Sequence, residues 1–176
     1  MERGPFGEST SMDLGDQAKI GLQAGLLAGY VVIGFFFVGD LVHLAPLATP
    51  KTLTNVLFSP GVSPFGTPAM LESVTIMSFA GHLAAVTLMH LLVFSALGVG
   101  AVVLCRVCRV PMNALTAALY GLVVCSLVFY VTIWITDAPA VVELPSFGSI
   151  LLVNLLAGTV MGGYFQAASK KALRRA

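Results

Sequence analysis

Apolar residues run through this chain in four blocks, each long enough for a helix to cross a bilayer. A hydrocarbon core about 30 Å thick takes roughly 20 apolar residues in a helix. The first block runs from about Ile20 to Leu44, between Lys19 and the pair Pro46 and Pro50. The second lies within 74–105, with its span over about 78–105, and stops at Arg106. The third covers 112–135 and the fourth 147–168, the latter ending at Lys170 and Lys171. Pro111, Pro139 and Pro145 fall between blocks, where a missing N–H costs little. All non-helical backbone can therefore lie outside the hydrocarbon, as hydrogen-bond satisfaction requires. The pattern predicts an all-α integral membrane four-helix bundle over 18–168. A flexible polar tail, 1–17, precedes it and a basic tail, 169–176, follows it.

Between the first two blocks, residues 45–73 form the one long loop. Thr49 as N-cap with Pro50 at the first helical position predicts a short helix through Leu57 or Phe58. The run from Ser59 to Gly66 is turn chemistry, and Thr67-Pro68 repeats the cap signal. A helix from Pro68 to Cys105 would be about 57 Å long, more than the bilayer needs. The loop is itself apolar at Val56, Leu57, Phe58, Val62 and Phe65, so it is expected to pack on the outer surface.

Composition narrows the class further. The chain is 57% hydrophobic and 10% charged, with a mean hydropathy of +0.95. Soluble domains run nearer 45–50% apolar and about 25% charged. A net charge of +1 leaves no basic footprint for nucleic acid. Three cysteines make no disulfide framework.

Lys and Arg set the orientation. Arg3, Lys19, Arg106, Arg109, Lys170, Lys171, Arg174 and Arg175 share one side of a four-span topology, and only Lys51 lies on the other. Both termini are expected in the cytoplasm, with Trp134 at the outer interface. The first block exceeds the 7–15 residues of a signal-peptide core and follows an acidic tail, so it reads as a span.

Polar groups inside a membrane are costly, so each needs a reason. His90 lies 16 residues before Arg106 and Asn154 lies 16 before Lys170, both about 24 Å above the basic end. Ser126 is 17 residues past Arg109, and Thr87 is one turn from His90. The four define an intramembrane polar layer, with His90–Asn154 as the expected contact. It serves either as a polar pocket with His90 as ligand or proton carrier, or as interhelical hydrogen-bonding glue.

Asp40, His43 and His82 lie nearer the outer surface. The two histidines are both about 36 Å up, and Asp40 and His43 have i,i+3 spacing. Three such donors can in principle ligate a metal, and His43 with His82 a haem. An Asp40–His43 hydrogen bond is the simpler expectation, and no cofactor or metal is expected. Cys105 and Cys108 have CxxC spacing at the cytoplasmic edge but lack the further ligands of a zinc site.

Glycines carry the strongest periodic signal. Gly21, Gly25 and Gly29 form a tandem GxxxGxxxG in the first span, and Asn154, Gly158 and Gly162 a similar stripe in the fourth. Small residues at this spacing let helix backbones approach closely. Two readings stand: packing within the bundle, or docking to a second copy or another membrane subunit.

No catalytic triad order, phosphate loop or carboxylate cluster is present, and no Lys, Arg, Asp or Glu lies mid-span. Gly39-Asp40-Leu41, Thr49-Pro50, Met89 to Phe94 and Val153 to Ala157 give the chain its resemblance. Over 20–168 it resembles small four-span bacterial membrane proteins of families with no assigned activity. That resemblance implies a topology and no mechanism. The expected function is that of a non-enzymatic accessory or assembly subunit, in the bilayer of a bacterial inner membrane, binding itself or other membrane helices. Haem- or metal-dependent electron transfer and a channel or transporter subunit are the alternatives.

Overall fold

A computed structural model describes residues 14–58, 76–111, 113–136 and 146–173, all helix and short connections. Helix α1 (Leu14–Val42) is followed by the short α2 (Ala48–Phe58) and the long α3 (Ile76–Cys108). The third span is composite: α4 (Ala114–Tyr120), one π turn (Gly121–Cys125) and α5 (Ser126–Thr136). Helix α6 (Phe147–Leu173) closes the order. Four of these stretches are long and apolar enough to cross a membrane: Leu14–Val42, Phe79–Cys108, Ala114–Trp134 and Phe147–Lys171. The expected turn run 59–66, the Thr67-Pro68 cap and the polar tail 1–13 lie outside the described residues.

The helices pack as a ring in which α1 touches α3 and α6, and α6 also touches the third span. Without a hydrophobic force between helices in lipid, such packing depends on close van der Waals fit. The sequence supplies it with small residues. On α1 the buried face is Gly21, Ala24, Gly25, Ala28, Gly29 and Val32. Gly25 lies against Phe94, Ser95 and Gly98 of α3, so the two backbones nearly touch. On the third span the facing residues are Ala114 and Ala117 of α4 and Gly121 of the π turn, set against Gly158 and Gly162 of α6. Larger side chains fill the middle: Ile150, Val153, Met161 and Phe165 of α6 are each at most 2% exposed.

Asn113 starts the third span, its side-chain carbonyl accepting from the Thr116 N–H at 2.9 Å. The small face then meets the π turn. A π turn carries one residue more than an α turn, so it displaces the face that follows it. Cys125 and Ser126 are both buried as a result. The sequence pattern predicts an unbroken helix here, because a π turn leaves no mark in hydropathy. Two tyrosines tie the ring together. The Tyr120 hydroxyl donates to the Leu97 carbonyl of α3 at 2.8 Å, and the Tyr164 hydroxyl bonds the Gln23 side-chain oxygen of α1.

The outer surface of the ring is apolar, with Leu88, Leu92, Leu115, Val123, Leu127 and Trp134 exposed. Lys19, Arg106, Arg109, Lys170 and Lys171 are exposed at one end of the bundle, and Lys51 at the other. Among the described residues the one ion pair is Lys19–Asp16, at 3.1 Å and within α1.

Candidate functional site

Asn154 and Ser126 sit where the third span and α6 press closest. The Asn154 amide donates to the Ser126 hydroxyl at 3.0 Å, and both residues are buried. A Cβ on Gly121 would stand 2.2 Å from the Asn154 carbonyl, so this polar pair needs the glycine beside it. The π turn brings Ser126, rather than the residue before it, to the amide. A double-mutant cycle on Asn154→Leu and Ser126→Ala is expected to give a coupling of about 0.6–1.7 kcal/mol, the range for hydrogen bonds between membrane helices. Unfolding of the four proteins in mixed micelles reads it; strictly additive losses would mean the bond contributes nothing.

His90 is not part of that pair. Its ring reaches the backbone of Gly29 on α1 and lies over Phe94, with centroids 4.7 Å apart. The expected His90–Asn154 contact is therefore replaced by two separate ones, His90 with α1 and Asn154 with Ser126. Depth along the helices places both residues in one layer, but α1 stands between α3 and α6 in the ring. His90 Nε2 is buried with no hydrogen-bond partner. Thr87 faces its own helix, its hydroxyl donating to the Leu83 carbonyl at 2.8 Å. The four residues of the expected layer thus make one interhelical bond and one ring-to-backbone contact, not a common pocket.

At the other candidate site, buried Asp40 is a helix cap supplied from outside the helix it caps. Its carboxylate accepts the Thr49 N–H at 2.9 Å and the Thr49 hydroxyl at 2.8 Å. Helix α2 begins at Ala48, before Thr49, so the expected role of Thr49 as N-cap falls to Asp40. A negative charge at a helix N-terminus is favourable, and its oxygens satisfy donors that the helix leaves open. The turn between α1 and α2 holds Leu44 and Leu47 at φ 54° and 66°. Such left-handed backbone is unfavourable for residues other than glycine, and the Asp40 bracket offsets it. Asp40→Ala is expected to cost about 1–3 kcal/mol, the penalty for stranding bonded donors, and to free α2. Faster hydrogen exchange at Thr49 to Thr54 with α1 unchanged is the readout; unchanged protection there would show that packing alone holds α2.

The Asp40 carboxylate is turned to Thr49, and in place of the expected Asp40–His43 bond His43 stands exposed. His82 is half-buried on α3. Among the described residues no three His, Cys, Asp or Glu side chains gather as metal ligands. Cys105, Cys108 and Cys125 are free thiols, Cys125 buried in the π turn and Cys108 exposed at the basic end.

Both glycine stripes are consumed inside the bundle. Gly21, Gly25 and Gly29 face α3, while Gly158 and Gly162 face α4. The docking reading of the stripes is corrected accordingly: these faces are covered by the chain's own helices. Gly98, which with Gly100 thins the second span in the sequence, is the mate on α3, and Gly121 is the mate on the third span that the spacing pattern does not single out. The run of Ala114, Ala117, Ala118 and Gly121 at helical spacing carries that signal for the third span. Compared with known proteins, the chain matches no protein-family model, no curated protein and no solved structure.

Proposed function

We propose that this chain is a non-enzymatic accessory or assembly subunit that binds other membrane helices through its outward face. Its setting is a bacterial cytoplasmic membrane, with both termini on the cytoplasmic side. The observation that supports this reading is the filled axis of the bundle. Ile150, Val153, Met161 and Phe165 are buried over about four turns of α6, so its inward face is packed with side chains. With the glycine seams and the Asn154–Ser126 pair also spent internally, the lipid-facing surface is what remains among the described residues to meet a partner. The orientation follows from the five exposed cations at one end against Lys51 at the other.

Photoreactive residues placed in the native membrane test this, at Leu88 and Leu92 on α3, Leu127 on α5, and Leu152 and Leu156 on α6. A discrete adduct with one integral membrane protein is expected from one of these faces, and none from buried Met161. Adducts with lipid alone from every exposed position would overturn the reading.

One observation favours a second reading, a cofactor-binding electron-transfer protein: the unpartnered Nε2 of His90. A visible spectrum before and after dithionite decides it. The first reading predicts no absorption band, and a Soret band lost in His90→Ala would establish the second.

A further inference from the structure

Three neighbouring pairs in the ring pack closely: α1 with α3, α1 with α6, and α4 with α6. The fourth, between α3 and the third span, is different. These helices are joined by a short turn, yet their backbones approach only sparsely. Among the described residues one hydrogen bond bridges them, from the Tyr120 hydroxyl to the Leu97 carbonyl. A Cβ on Gly100 would meet that same hydroxyl at 3.2 Å and nothing else within 4 Å. Gly100 and Leu104 share the Leu97 face at i+3 and i+7, and Leu104 is 45% exposed. Below Leu104, Val107 is 73% exposed. The seam is an apolar groove about two helical turns deep below Tyr120.

The mouth of the groove is cationic. The turn that closes it is held by the Arg109 N–H to the Arg106 carbonyl and the Val110 N–H to the Cys105 carbonyl. Arg106 and Arg109 are both exposed. The ion pair described at this end belongs to α1, not to these arginines.

We infer that an anionic phospholipid occupies this seam, with its phosphate at Arg106 and Arg109 and an acyl chain along Gly100, Leu104 and Val107. The charge of the mouth and the polarity of the walls select that occupant. A free anion has no use for the apolar walls, and a further helix laid in the groove would cover the two guanidinium groups. Arginine matches phosphate oxygens in a planar, bidentate fork, and each cation at a membrane surface strengthens the attraction to anionic lipid.

The test is native mass spectrometry of the detergent-purified protein, incubated with equal amounts of phosphatidylglycerol and phosphatidylcholine of identical chains. One phosphatidylglycerol is expected to stay bound with a preference of roughly 30-fold, from two arginines. Arg106→Gln with Arg109→Gln should bring the two lipids near parity. Arg106→Lys with Arg109→Lys should keep most of the preference and guards against a folding artefact. Lys170→Gln with Lys171→Gln, on the helix diagonal to α3, should leave it unchanged. Leu104→Trp, which fills the groove, should lower binding of both lipids. Parity in the unaltered protein would overturn the inference. So would an equal loss in Lys170→Gln with Lys171→Gln, which would mean a diffuse basic end, or displacement of the lipid by inorganic phosphate.

Discussion

Gly25→Leu is expected to separate α1 from α3 and to destabilise the bundle by about 3 kcal/mol or more, beyond the usual cost of overpacking. The reason is what a side chain there would strike. A Cβ on Gly25 would lie 2.1 Å from the Phe94 carbonyl oxygen and 2.8 Å from the Ser95 Cα, both backbone atoms of a continuous helix. The contact is mutual, since a Cβ on Gly98 would lie 2.1 Å from the Gly21 carbonyl oxygen. No rotamer change relieves either clash, so the helices must part and give up the close packing that holds them in lipid. The control is Gly34→Leu, on the same helix with nothing within 4 Å. Leucine is the better helix former by several tenths of a kcal/mol, so that change should be neutral or slightly stabilising. Unfolding in mixed micelles followed by circular dichroism reads both. Equal effects at the two positions would mean that the α1–α3 seam is not closed as described.

Gly158→Leu is expected to have an effect of the same size on the other seam, again about 3 kcal/mol or more. A Cβ at this position would stand 2.2 Å from the Ala117 carbonyl oxygen and 3.0 Å from the Ala118 Cα. Forcing α6 from α4 also pulls Asn154 from Ser126, which strands two buried polar groups in hydrocarbon. The loss should therefore exceed that of Asn154→Leu alone. Gly163→Leu, one residue from Gly162 but with nothing within 4 Å, should change little. If Gly163→Leu proved as damaging as Gly158→Leu, α6 would be rotated from the arrangement described.

Hydropathy alone is enough to find the four long apolar helices, because length and apolar content are one-dimensional properties. The glycine stripes were equally legible: only a close backbone approach gives Gly21, Gly25, Gly29, Gly158 and Gly162 a shared purpose. What they approach was not legible, since a stripe has no address. The same gap explains the polar layer. Counting residues from the charged ends put His90, Asn154 and Ser126 at one depth, but the pairing depends on angle around the ring. That angle was set by α1 lying between α3 and α6, and by a π turn that shifts Ser126. Asp40 was misread for a related reason. Local spacing pointed to His43, three residues on, whereas the reversal of the chain through Leu44 and Leu47 delivers Thr49 instead.

The proposed role is tested most directly by the native mass of the protein released from its own membrane in a mild detergent. A complex of this chain with a second membrane polypeptide, lipids aside, is the result that the account predicts. A lone chain carrying the mass of a haem or a metal ion, lost in His90→Ala, would contradict it.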